Sequence, residues 1–129
     1  MRAQYTRLFT DQHGKSRLED VDIELSAGFA APPAEPLHFA QFLVPDSTFW
    51  LGAPTDWKGD AMHPAPRRAI FVLVRGGFQV KTSDGAVRRF QAGNVLIVED
   101  TTGDGHATAI TGDEDGIVFA VGLPPSSAG

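Results

Sequence analysis

Four histidines, His13, His38, His63 and His106, are the side chains here best suited to chemistry. Imidazole titrates near neutral pH without help from its surroundings and is the commonest metal ligand. The chain has no cysteine, which excludes thiol catalysis, zinc ribbons, iron–sulfur clusters and disulfides together. It also lacks a Gly-x-Ser-x-Gly elbow, a phosphate loop and a His-Glu-x-x-His motif. Gly103-Asp104-Gly105 is only half of a dinucleotide fingerprint. Asp113-Glu114-Asp115-Gly116 lacks the closing Glu of a calcium loop and reads as a solvated turn. His13 falls in an evident turn, and His38 opens an apolar segment as a core or rim histidine would. His63 precedes Pro64, and His106 follows a Gly-rich loop. Arg67 and Arg68 come just after His63. They suit the carboxylate of a bound ligand, and equally suit a plain surface pair.

Short strands must position these residues. Runs rich in Val, Ile, Phe and Thr are separated by Gly, Pro and Asp, and helical periodicity is almost absent. Over 17–25, Val21, Ile23 and Leu25 alternate with Asp20, Asp22 and Glu24, one face apolar and one acidic. Residues 30–36 carry Pro32, Pro33 and Pro36 and read as a loop or extended arm. Residues 38–44 and 48–51 read as strands, and 54–66 as an irregular connection. Ala69 to Val74 and Asn94 to Val98 are the continuous apolar runs of buried strands. Between them, 78–82 and 86–90 flank Ser83-Asp84-Gly85, a hairpin signal because Gly accepts the positive φ of the turn. Residues 106–110 and 117–121 complete the set. About eight to ten short strands predict an all-β sandwich or barrel.

The 129 residues fit one domain spanning 1–129, with 1–15 as an N-terminal arm and 123–129 as a flexible tail. A net charge of −5 argues against nucleic-acid binding. Residues 65–98 are basic and 99–129 acidic; a basic patch that recruits a small anion is one reading, and the favoured one is that the two segments neutralise one another. Met1 to Arg7 leads into no apolar signal region, and the run 69–74 is too short to span a bilayer. A cytoplasmic protein with no membrane partner is expected.

Over about residues 60–122 the chain resembles the cupin superfamily. The resemblance rests on His63-Pro64-Ala65-Pro66-Arg67-Arg68, then Asp84-Gly85, then Gly93-Asn94-Val95-Leu96. It ends on Glu99-Asp100-Thr101-Thr102-Gly103-x-Gly105-His106. It implies a double-stranded β-helix, the jelly-roll barrel, and a small bacterial type of unassigned activity. The first cupin motif has His-x-His, then Glu, then Gly. Counted back from Gly76, its histidine positions fall on His63 and Ala65, and its Glu on Ala69. In the second motif Gly93 matches, Glu99 replaces Pro, Thr101 replaces Gly, and the histidine arrives two residues late, at His106. The resemblance therefore carries over only His63 and His106 as metal ligands. A third would come from Glu99, Asp100, Asp104 or His38, for iron, manganese, nickel or zinc. The side of Glu99 depends on register, and Asp100 before Thr101-Thr102 suits a turn.

Three readings follow. In the first, the barrel binds a small molecule, with His63, Arg67, Arg68 and His106 on its polar groups. Phe71, Phe78, Phe90, Trp50 and Trp57 are placed to line it, although each on its own suits core packing better. In the second, the chain is a metal-dependent oxygenase or isomerase using His63 and His106. The same pair can also act without metal as general acid and base, as in resembling sugar epimerases. In the third, it is a structural partner with no active site. A homodimer is expected in each, because exposed edges need cover and resembling proteins pair. His63→Ala and His106→Ala are each expected to abolish binding with the melting temperature nearly unchanged.

Overall fold

The computed structural model describes residues 1–29, 33, 35–40 and 46–125. Among them are twelve strands and no helix, and so no helix long and apolar enough to cross a membrane. Eight consecutive strands make the central body: β5 (Ser47–Ala53), β6 (Lys58–His63), β7 (Ala69–Arg75), β8 (Gly77–Thr82), β9 (Val87–Gln91), β10 (Val95–Val98), β11 (His106–Thr111) and β12 (Gly116–Gly122). One sheet runs β10-β7-β12-β5 and the other β6-β11-β8-β9. Every neighbouring pair among these eight is antiparallel. Apart from the β8–β9 hairpin, sheet membership alternates as the chain crosses back and forth, which is the strand order of a double-stranded β-helix, or jelly roll. The sheets remain separate ladders and do not close into one continuous barrel.

An antiparallel hairpin of β1 (Arg2–Thr10) and β2 (Ser16–Glu24) widens the first sheet to six strands, with β1 parallel to β10. Residues 2–10 are therefore a sheet strand, where the sequence pattern pointed to an arm. Their polar residues hide the alternation, and the ladder to β10 supplies the order that local pattern does not. Residues 58–63 also depart from expectation. In place of an irregular connection they form β6 through pairing with β11. β3 (Ser26–Gly28) and β4 (Leu37–Phe39) pair with each other. Of the expected strand 38–44, the positions 41–44 lie outside the described residues, as do 30–32 and 34 of the expected loop. At the tail, Leu123 is buried and its N–H donates to the Arg68 carbonyl at 3.0 Å, so residue 123 is docked; 126–129 lie outside the described residues.

The core sits between the sheets. Leu8, Leu73, Phe90, Leu96, Val98 and Val118 belong to one buried cluster, each the inward member of an alternating strand. Burying such a side chain contributes about 1.5–3 kcal/mol. At one open side, Arg88 of β9 bridges Asp20 of β2 at 2.7 Å, and Thr6 donates to the same carboxylate. This tie joins the edge strands of the two sheets.

Candidate functional site

A cavity of about 500 Å3 lies between the sheets. Its walls are mostly apolar, with Phe71, Leu73, Phe78, Phe90 and Val118 among them. Its polar side chains are His63, His106, Thr108 and Arg67. His63 ends β6 and His106 begins β11, and the two are direct cross-strand partners. Their ring centroids are 5.3 Å apart. Antiparallel pairing is what brings together two residues 43 positions apart in the sequence.

The approach to His106 depends on glycine. Gly105 has φ +75°, and a Cβ there would stand 2.1 Å from the His63 carbonyl carbon and oxygen. The N-terminal hairpin fixes the loop 99–105 from the other side. Ser16, fully buried, donates its hydroxyl to the Gly105 carbonyl at 2.8 Å. The Ser16 and Ser83 N–H groups each donate to the other's hydroxyl oxygen, at 2.8 and 2.9 Å. The Asp104 N–H donates to the Gly14 carbonyl at 2.9 Å, and the Glu99 N–H to the Leu8 carbonyl at 2.7 Å.

His106 Nδ1 lies 2.5 Å from Asp100 Oδ2. Asp100 is completely buried, and its Oδ1 has no partner among the described residues. A carboxylate only accepts, so the proton of this bond sits on Nδ1, and in the neutral ring this tautomer leaves the lone pair on Nε2. His63 Nδ1 lies 3.0 Å from the Ala61 carbonyl, which imposes the same tautomer. Both imidazoles thus have Nε2 available as an acceptor. Such a pair can take a proton from a bound molecule or coordinate an ion, and the carboxylate behind His106 fixes the orientation of that ring.

The other residues singled out by sequence separate into groups. Arg67 lines the cavity, and its guanidinium also donates to Asp46 at 2.8 Å and to the Ser47 hydroxyl at 3.2 Å. Arg68 is not part of the lining and instead binds Glu99 at 2.6 Å. Glu99 is claimed on its other oxygen by Arg7 at 2.7 Å. Burial pushes the Glu99 pKa up, but the hydrogen bonds from Arg68 and Arg7 outweigh it and hold the carboxyl below its ordinary range. Asp104 pairs with Lys15, while His38 and His13 are exposed. No group of three or more His, Asp or Glu side chains placed to hold a metal ion occurs among the described residues. Ala65 and Ala69, at the positions of the missing His and Glu, are both buried and both line the cavity. Phe71, Phe78, Phe90 and Trp57 line it as well. Trp50 does not: it is 64% exposed, with its ring edge-on to Phe119 at 5.1 Å. Between the basic and acidic segments, Arg68–Glu99 is the one ion pair among the described residues. Arg67 and Arg88 find their partners earlier in the chain.

Asp100 is the residue that sequence reasoning undervalued. Its only signal is a carboxylate closing an apolar strand six positions before a histidine, and Thr101-Thr102 made a turn the simpler reading.

The fold and site define an all-β jelly roll with a mainly apolar internal cavity and two neighbouring imidazoles. No protein-family model and no curated protein matches the chain. Among solved structures, protein NMB1881 from Neisseria meningitidis shares 14% identity, covering 60% of this chain and 72% of its own, with a TM-score of 0.45. A protein described as ethanolamine utilization protein Q, from Salmonella typhimurium LT2, shares 13% identity over 98% of this chain and 99% of its own, with a TM-score of 0.35. The jelly-roll assignment stands on the chain's own strand order.

Proposed function

We propose that the chain is a cupin-type protein that binds a small, largely apolar molecule between its sheets, with the polar group of that molecule against His106 and His63. The cavity carries the reading. Its volume of about 500 Å3 suits a small organic molecule, for which pockets of about 300–1,000 Å3 are usual. Alanine at positions 65 and 69 leaves space where the resembling family would place ligand side chains. Arg67 at the wall suits an anionic end. The test uses anilinonaphthalene sulfonate, an apolar probe whose sulfonate suits Arg67 and whose anilino N–H can donate to an imidazole Nε2. Saturable one-site binding is expected, with quenching of Trp57 in a Trp50→Phe background, and both are lost in Ala65→Phe, which fills the cavity. Absence of saturable binding, or binding unchanged in Ala65→Phe, contradicts the reading.

The buried carboxylate behind His106 favours a second reading, an isomerase. His106 Nε2 takes a proton from a bound substrate, and His63, protonated, returns one. Solvent deuterium entering carbon-bound positions of small hydroxy or keto acids, and no longer doing so in His106→Gln, tests it. No exchange with any acid of such a panel counts against it. The metal-dependent form of this reading fits the donor set poorly. Two imidazoles are available, but Glu99 and Asp104 are committed to arginine and lysine, and catalytic sites commonly have three protein ligands.

A further inference from the structure

Some residues that line the cavity are also exposed, and they mark its mouth. Leu51, Trp57, His63, Pro66 and Arg67 are of this kind, whereas Leu73, Leu96 and Val118 line it and are buried. The exposed set belongs to β5, to β6 and to the chain next to β6. β5 ends one sheet and β6 ends the other, and no ladder joins them among the described residues. The cavity therefore opens along the seam between these edges. Arg67 is held at the rim over Phe49, 6.0 Å from its ring centroid. Its bonds to Asp46 and Ser47 leave further N–H groups for an anion. A Cβ at Gly122 would stand 2.5 Å from Arg67 Nη2, so glycine keeps this place open. Trp57 takes another part of the rim. A Cβ at Gly59 would overlap Cη2, Cζ2 and Cζ3 of its six-membered ring, so the indole rests on β6 backbone that carries no side chain. It remains 40% exposed.

The ladder sets how far this platform stands from the imidazoles. Gly59 pairs with Thr108 and His63 with His106, so β6 runs from 59 to 63 while β11 runs only from 106 to 108. Such a register shift bends the strand, and bulges of this kind are over-represented next to active sites. Along β11 the two pairs are roughly 7 Å apart at about 3.3 Å per residue, where an unbroken β6 would set Gly59 and His63 roughly 13 Å apart. Three different groups thus meet around one opening: an indole surface, two Nε2 lone pairs and a guanidinium. We infer that the ligand is an aromatic carboxylate with a hydroxyl or amino group on its ring. The ring lies on Trp57, the hydroxyl or amino group donates to Nε2 of His63 or His106, and the carboxylate meets Arg67. This rests on the reading of the cavity as a ligand site. A neutral imidazole Nε2 only accepts, so the group facing it must carry O–H or N–H; a carboxylate also only accepts, and so belongs at the guanidinium. A saturated ring fills the same volume, but a pair of aromatic rings gains more than the area it buries.

Isothermal titration of the full chain with the ortho, meta and para isomers of hydroxybenzoate and aminobenzoate tests the inference. Anilinonaphthalene sulfonate is the control for the cavity itself. At least one of the acids is expected to bind at one site, about threefold to tenfold tighter than its ring-saturated counterpart. Benzoate, which lacks the donor, and the matching amide, which lacks the charge, each bind about tenfold more weakly than that acid. Trp57→Leu abolishes the preference for the flat ring, and Trp57→Phe restores part of it. Arg67→Gln abolishes the preference for acid over amide. Equal affinity for flat and saturated rings, or a flat-ring preference that survives Trp57→Leu, overturns the inference. So does binding of the sulfonate probe with no binding of any acid in the panel, a result that leaves the cavity reading standing. Absence of saturable binding by probe and acids alike overturns the cavity reading and the inference together.

Discussion

His106 and His63 face one cavity from neighbouring strands, yet they are held in very different ways. His106 is only 8% exposed, and a fully buried carboxylate sits on its Nδ1. The loop before it is gripped by Ser16, itself tied to Ser83, and by Gly14. His63 is exposed and leans on one backbone carbonyl. A buried, unevenly satisfied carboxylate costs stability, and local structure does not require one. On the proposed reading, the contrast makes His106 the prepared group and His63 the less constrained partner. Substitutions should therefore separate the two.

The largest effect belongs to His106→Ala, which leaves Asp100 buried with neither oxygen paired. A loss of about 3–5 kcal/mol in urea unfolding is expected. This replaces the expectation that the melting temperature would hardly move. A loss under about 1 kcal/mol would remove the distinction between the two histidines. Gly105→Ala comes next, because a side chain at φ +75° is strained and meets the His63 carbonyl. About 2–3 kcal/mol is expected, together with weaker probe binding as the two strand ends separate.

Glu99→Gln sharpens the comparison from outside the cavity. It should cost about 1–2 kcal/mol at neutral pH by weakening two charge-assisted hydrogen bonds. The Glu99 pKa is lowered in the folded chain. Its contribution is therefore complete above the ordinary carboxylate range and lost as pH falls through the folded value. Wild-type and Glu99→Gln stabilities should converge once the pH has fallen through that lowered value, while probe binding at neutral pH is the same in both. The smallest effect is that of His63→Ala, within about 0.5 kcal/mol of wild type in the same unfolding assay. Its probe affinity nevertheless drops. Equal affinity would remove His63 from the site.

The parts of the fold legible in sequence were those whose order is local. The Asp84-Gly85 hairpin between β8 and β9 was visible because a two-strand turn has its own chemistry. The apolar runs of β7 and β10 were visible because both their faces carry apolar residues. β6 was not, because its partner β11 lies far along the chain, and β1 was not, because polar residues hide its alternation even though β2 pairs with it locally. The site divides in the same way. His63 and His106 could be singled out by residue type and motif position. The Asp100–His106 bond could not, because it depends on a loop shape set by contacts with residues 14 and 16. Arg68 and Glu99 attracted attention by their proximity to the motifs, yet the register turned them toward each other and away from the cavity lining.

The central claim, that a ligand's polar group meets two Nε2 lone pairs inside the sheets, is most directly tested by nitrogen-detected NMR of the imidazole rings. Spectra would be recorded at mildly alkaline pH with and without anilinonaphthalene sulfonate. The account predicts that both His106 and His63 carry their proton on Nδ1, and that the probe shifts Nε2 of each in wild type but not in Ala65→Phe. A His106 ring protonated on Nε2, or resonances from both rings indifferent to bound probe, would contradict it.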